Sequence, residues 1–226
     1  MRKIIYLFLT GLLTTGTTSC SQDDILNERP KDFLTPSNSY NTPDAFVSAI
    51  ANIYLDVREQ LYEGGWQTYQ MLGPGVDVAA VRFNGPALTQ AFHWNTFNAD
   101  NGFGNSWWIS LYDWIGQANV IIERASSEDV KWPSEADKNQ IIGEARFLRA
   151  FAYNFLANIW GGVPLVLQET TGPKFDYHRT SQDSVYQQCK EDLVFAIQWM
   201  KTVDQLPGGR APRAAAYTLL SEVNIS

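Results

Sequence analysis

The chain has 226 residues, 45% of them hydrophobic and 18% charged, which is enough apolar material for a packed core and excludes a largely disordered protein. Acidic side chains outnumber basic ones by 24 to 17, for a net charge of −7, which argues against the broad basic face that nucleic-acid binding needs. Two cysteines and no glycine period exclude disulfide scaffolds and collagen. With Trp 8, Tyr 10 and Phe 12 the chain is rich in rings; these either fill a helical core or stand outside and stack on ligands with flat apolar faces, such as sugars.

Arg2 and Lys3 precede an apolar run, Ile4 to Leu13, and small residues from Thr14 to Ser19 lead to Cys20. This order predicts a signal peptide over residues 1–19, too short in its apolar part to span a bilayer. Small residues immediately before a cysteine resemble the lipobox of bacterial lipoproteins, although Thr17 stands where an aliphatic residue is usual. The resemblance implies cleavage before Cys20 and lipidation of Cys20, and several acyl chains on one residue hold a protein stably to a membrane. The alternative is ordinary secretion with Cys20 as a spectator thiol. Ser21-Gln22-Asp23-Asp24 resembles the surface-export signal of Bacteroidota lipoproteins, which implies a lipid anchor in the outer membrane facing the exterior. Residues 20–41 carry Pro, Asn, Ser and Asp with no helical period and are expected to form an extended, lipidated tether.

Residues 42–226 are expected to form an all-α domain. Thr42-Pro43-Asp44 has the chemistry of a helix start, with a capping hydroxyl, proline at the first position and an acid in the first turn. Apolar residues from Ala45 to Leu61 follow at helical spacing, and Gly64-Gly65 predicts the stop. Residues 64–105 combine seven glycines and two prolines with Trp66, Phe83, Phe92, Trp94, Phe97 and Phe103; so long a segment is expected to be a functional loop. Helix returns near Ser106, with Trp107, Trp108, Leu111, Tyr112, Ile115, Ala118, Asn119 and Ile122 on one broad face. A third helix starts at Ser134, paired with Asp137 in the manner of a capping box, and ends at Gly161-Gly162. A fourth starts near Thr180 or Ser181 and is expected to run to the break at Leu206-Pro207-Gly208-Gly209. A fifth begins near Pro212 and shows no C-cap before Ser226, so the domain reads as incomplete at its C-terminus. Five amphipathic helices in succession predict a tetratricopeptide-like array of stacked pairs, though with unequal loops.

The segment Gly143-Glu144-Ala145-Arg146-Phe147-Leu148-Arg149-Ala150, with Tyr153 and then Gly161-Gly162-Val163-Pro164-Leu165, strongly resembles the SusD/RagB family of outer-membrane nutrient-binding lipoproteins. Weaker likenesses at 44–63, at Trp108-Ile109-Ser110-Leu111-Tyr112 and at Arg210 to Leu220 keep the family's order. The resemblance implies the N-terminal, tetratricopeptide-like part of that fold. It implies capture of glycan or oligopeptide without catalysis, no cofactor, and a SusC-like TonB-dependent transporter as partner. A docking fragment that binds no nutrient is the alternative.

Several residues require weighing. Glu144, Arg146 and Arg149 share helical spacing and are read as ion pairs that set packing, with ligand contact as the alternative. Gly161 and Gly162 are read as a C-cap and a close-approach position. Trp107, Trp108 and Tyr112 are read as core, and Cys189 as a buried small hydrophobe. The ligand candidates are Trp94, Asn95, Phe97, Asn98 and Asn101: rings stack on sugar C–H faces, and amides both donate to and accept from hydroxyl edges. A loop packed down by its own rings is the competing reading. His93 and His178 share no metal spacing, so no metal is expected. Asp77, Asp100 and Asp113 could supply glycosidase carboxylates only if brought together in space, and no nucleotide-binding or hydrolase motif is present.

Overall fold

The computed structural model describes residues 39–63, 102–206 and 208–226, all of which belong to the unit Pro36–Ser226. The signal peptide, Cys20 and the tether as far as residue 38 lie outside the described residues, as does the loop from 64 to 101 with Trp94, Asn95, Phe97, Asn98 and Asn101. Everything described is helix, turn or extended arm, with no strand.

Helix α1 is Pro43–Arg58. Thr42 is extended and its Oγ1 accepts the Ala45 N–H at 3.4 Å, which satisfies one of the donors a helix start leaves open. Phe46, Ile50 and Ile53 form its buried stripe. Before the predicted glycine stop the helix widens into a π turn, Glu59–Glu63.

Helix α2, Gly102–Ala125, starts a turn earlier than Ser106. Its buried face keeps Trp107, Leu111, Ile115, Ala118 and Asn119 of the predicted one and shifts at its edges. Trp107, Leu111, Trp114, Ala118, Ile121 and Ala125 are fully buried, whereas Trp108, Tyr112 and Ile122 are only partly so. The period of the aromatics spans both arcs, so spacing alone could not say which one faces inward. Trp107 is therefore core, and Trp108 and Tyr112 are half-exposed walls.

Helix α3 is Glu135–Trp160. The Ser134 Oγ accepts the Asp137 N–H at 3.1 Å and donates to the Asp137 carboxylate at 2.7 Å. The hydroxyl, helped by Lys201, holds that carboxyl below its usual range. The sequence predicts an apolar face of Ile141, Ile142, Ala145, Leu148, Ala152, Phe155, Leu156 and Ile159; all are buried except Phe155 and Ile159, which are partly so, and α3 also buries Phe147, Ala150, Tyr153 and Ala157. It is buried over most of its circumference, polar Gln140, Glu144, Arg149 and Asn154 included, because α2 packs on one side and α4 on another.

Gly161 ends α3 at φ +72°, a conformation that costs other residues a steric clash. Next to it, a Cβ on Gly162 would overlap the carbonyl oxygen of Thr180. Both glycines thus have the structural roles expected of them.

Helix α4, Gln182–Trp199, is capped by Ser181, whose Oγ accepts the Ser184 N–H at 3.3 Å. It ends well before the predicted break at Leu206. Met200 turns extended and buries completely. Its carbonyl accepts from Arg213 Nε at 2.9 Å, and the next amide, Lys201 N–H, donates to Gln140 Oε1 at 2.6 Å. Partners from α3 and from the next helix take over the C-cap, so no glycine marks the stop. A short 3-10 turn, Val203–Gln205, leads on to α5, Arg213–Ile225. Helix α5 lays Ala216, Leu219 and Val223 inward and packs mainly on α4.

Candidate functional site

After Gly162 the chain runs extended over α2 and α3, and side chains satisfy backbone groups that have no strand partner. The Tyr153 hydroxyl donates to the Val166 carbonyl at 3.0 Å and accepts the Val166 N–H at 2.6 Å. The Tyr112 hydroxyl donates to the Pro164 carbonyl at 2.8 Å. Asn119 Nδ2 donates to the carbonyls of Val166 at 2.8 Å and Gln168 at 3.2 Å. Arg124 closes the arm with two hydrogen bonds to the Glu169 carboxylate, at 2.9 and 2.7 Å. Burial raises the Tyr112 and Tyr153 hydroxyls above their ordinary range, which keeps both as neutral donors.

Two ion pairs, one buried and one part-buried, explain the charged residues of the 143–150 motif. Arg149 grips Asp192 of α4 with two hydrogen bonds, Nε to Oδ2 at 2.8 Å and Nη2 to Oδ1 at 2.7 Å. Its remaining nitrogen, Nη1, donates to Asn119 Oδ1 at 2.7 Å and to the Leu167 carbonyl at 3.3 Å. One guanidinium therefore joins α2, α3, α4 and the arm. Glu144 is gripped in the same two-pronged way by Arg210, with Nε to Oε2 at 3.0 Å and Nη2 to Oε1 at 2.6 Å. It also accepts from Tyr54 of α1 at 3.4 Å and from Gln140. Arg146 lies 3.9 Å from Asp192 and 4.3 Å from the centre of the Phe195 ring; burial is the main cause that lowers its guanidinium from the ordinary value. All three charges are tied into packing, as the sequence reading preferred over ligand contact.

Past Glu169 the arm becomes an exposed loop carrying Phe175, 93% exposed, and Tyr177, 40% exposed. Together with α2 it encloses a hollow of about 420 Å³ walled by Trp108, Tyr112, Pro164 and Tyr177. Sequence reading assigned two of these rings to the core and passed over Tyr177, which carries no periodic signal.

Asp113 is described, whereas Asp77 and Asp100 lie outside the described residues. Its carboxyl is raised by burial and then by the nearby Asp56. Asp56 itself accepts from Gln117 Nε2 at 2.8 Å. His178 is exposed, His93 lies outside the described residues, and among the described residues no His, Cys, Asp or Glu cluster could hold a metal ion. Cys189 is fully buried on α4, and burial pushes its thiol up to about 12, so it is a packed hydrophobe and no nucleophile.

A SusD-like family model, described as "Starch-binding associating with outer membrane", matches residues 32–225. The chain belongs to the SusD-like family. A SusD-like protein of Formosa agariphila is 27% identical over 229 residues, covering 100% of this chain and 43% of that protein. A SusD superfamily structure from Bacteroides vulgatus superposes with a TM-score of 0.73 at 21% identity, over 82% of this chain and 40% of the other. A SusD-like carbohydrate-binding protein of Bacteroides fragilis gives a TM-score of 0.61 at 22% identity, over 81% and 37%. These likenesses establish the all-α, tetratricopeptide-like fold of SusD. The SusD-like family is one of non-catalytic binding proteins. This SusD-like chain spans about two fifths of the length of those relatives.

Proposed function

We propose that the protein is a surface-exposed lipoprotein, anchored in the outer membrane through Cys20, that binds glycan and delivers it to a SusC-like TonB-dependent transporter. It carries out no catalysis. The single observation behind this reading is the match of residues 32–225 to a family described by starch binding and outer-membrane association. The described residues supply a scaffold cross-braced by ion pairs, well suited to hold a recognition loop in place. In this proposal Trp94 and Phe97 stack on sugar faces, and Asn95, Asn98 and Asn101 exchange hydrogen bonds with hydroxyls. Several such modest contacts along one chain of sugars add up through multivalency.

Affinity electrophoresis through gels cast with a panel of polysaccharides tests the proposal, with Trp94→Ala run alongside. Retardation of the parent in one glycan gel, weakened in Trp94→Ala, is the expected result. Migration unaffected by every glycan would overturn the glycan reading. Capture of the transporter barrel without any such retardation would favour a purely docking role.

A further inference from the structure

The hollow between α2 and the loop after Glu169 plays no part in the proposal above, and four observations bear on what it holds. Trp108 and Tyr112, one turn apart on α2, set their rings 4.9 Å apart and tilted by 42°. Both are fixed by the fold: Trp160 meets Trp108 edge-on at 5.4 Å, and the Tyr112 hydroxyl is tied to Pro164. Tyr177 adds a third ring to the lining from the loop, with Lys174 Nζ 5.4 Å from its centre.

The second observation is Gly116 on the lining of the hollow, inside the 24-residue helix α2. Glycine inside a helix costs stability relative to alanine, and such a residue usually answers a packing need. Here a Cβ would meet nothing within 4 Å among the described residues. Nothing among the described residues requires glycine there, but a side chain at 116 would occupy the hollow.

Third, a more polar trough of about 560 Å³ shares Val166, Thr170 and Tyr177 with the cavity and adds Gln168, Thr171 and Lys174. Ring faces on one side and hydroxyl, amide and ammonium groups on the other reproduce the two chemistries of a sugar, its C–H faces and its hydroxyl edges. Fourth, each volume falls in the range of small-ligand sites, about 300–1,000 Å³.

We infer that this hollow and trough form a second saccharide subsite, built wholly from described residues. The inference rests on the glycan reading above and adds a location to it. One sugar ring lies against Trp108 and Tyr112 over Gly116, Tyr177 adds a contact from the loop, and the hydroxyl edge of the next unit points at Gln168 and Thr170. Two subsites on one chain raise avidity for a polymer without tightening either one.

The test uses the full chain in the same polysaccharide gels, with Tyr177→Ala and Gly116→Leu beside Trp94→Ala. Tyr177→Ala removes a wall from an exposed position. Gly116→Leu fills the cavity while favouring the helix, so its melting temperature stays at or above the parent's and a lost interaction cannot be ascribed to unfolding. Each is expected to weaken retardation by about tenfold in Kd, the equivalent of one good stacking contact. Combining either with Trp94→Ala deepens the loss. Parental retardation in both Tyr177→Ala and Gly116→Leu, with Trp94→Ala impaired, would overturn the subsite and leave the glycan reading intact. A parent retarded by no glycan would remove both.

Discussion

Asp192→Asn offers a stringent test of the scaffold. The Asp192 side chain is 0% exposed and that of Arg149 5%, so the pair sits where an unmatched charge is costly. The substitution keeps the shape but removes the negative charge that two guanidinium hydrogen bonds and the nearby Arg146 share. Arg149 would keep its neutral acceptors, Asn119 Oδ1 and the Leu167 carbonyl, yet two cations would face each other with no counter-charge between them. Breaking a buried pair from one side costs about 3–5 kcal/mol. At roughly 2–4 °C per kcal/mol for a chain of this size, the melting temperature should fall by about 6–20 °C. Urea titration followed by circular dichroism, with thermal melts at the same pH, measures both quantities. Replacing both partners at once, Arg149→Met with Asp192→Leu, should recover part of the loss, because apolar groups of similar volume strand neither charge of the pair, while Arg146 still loses its neighbouring carboxylate. A loss below about 1 kcal/mol for Asp192→Asn, the scale of an exposed pair, would refute the reasoning.

Three further outcomes follow from the packing. Gly162→Ala drives a methyl group into the Thr180 carbonyl oxygen and should cost about 1–3 kcal/mol in urea titration, since the backbone there cannot swing aside as a long side chain could. Gly116→Ala should instead stabilise by about 0.5–1 kcal/mol, because it raises helix propensity where a Cβ meets no described neighbour; a destabilised Gly116→Ala would mean that the fold itself requires the glycine. Stability should also fall in alkali. Burial lifts the Cys189 thiol up to about 12, so the unfolded chain loses that proton first. The contribution is complete below about pH 9 and fades as pH rises toward the folded value. Cys189→Ala should therefore show a shallower decline of the urea midpoint above about pH 9, though not a flat one, because Tyr54 and Tyr153 are raised by burial in the same direction.

Local chemistry was legible in the sequence wherever a residue acts on its own neighbourhood. Thr42, Ser134 and Ser181 announce helix starts because a capping hydroxyl works across three residues. Gly161 could be read for the same reason, as a local C-cap, whereas the group that Gly162 must let approach, the Thr180 carbonyl, lies far along the chain. What sequence reading missed is set by distant partners. The end of α4 carries no glycine signal because Gln140 and Arg213 complete it from elsewhere in the chain. Periodicity put Arg149 and Glu144 on a helix face but could not name Asp192 or Arg210 as the groups they meet. The aromatic hollow was hidden for a similar reason. Trp108 and Tyr112 share their period with true core residues, and Tyr177 arrives from a loop without any period. The signals that could have pointed to it were Gly116, a glycine where a helix least favours one, and an aperiodic stretch containing Lys174, Phe175 and Tyr177. The 93–101 candidates were chosen for the chemistry of their side chains, and that choice still stands as a proposal.

The Arg149–Asp192 and Glu144–Arg210 pairs also bear on how such helices could be exchanged between relatives. Each pair spans two segments of the chain, one in α3 and the other in α4 or in the turn before α5. A chimera that joins α3 of one protein to α4 of another inherits the guanidinium from one parent and must find its carboxylate in the other. Crossover points between Arg149 and Asp192 would therefore yield folded hybrids only from parents that match at both positions. Crossovers before Gln140 or after Arg210 would carry each pair across intact. In a recombination library the surviving junctions should cluster outside that span, and their positions would trace the electrostatic wiring of the array without a ligand or a partner being known.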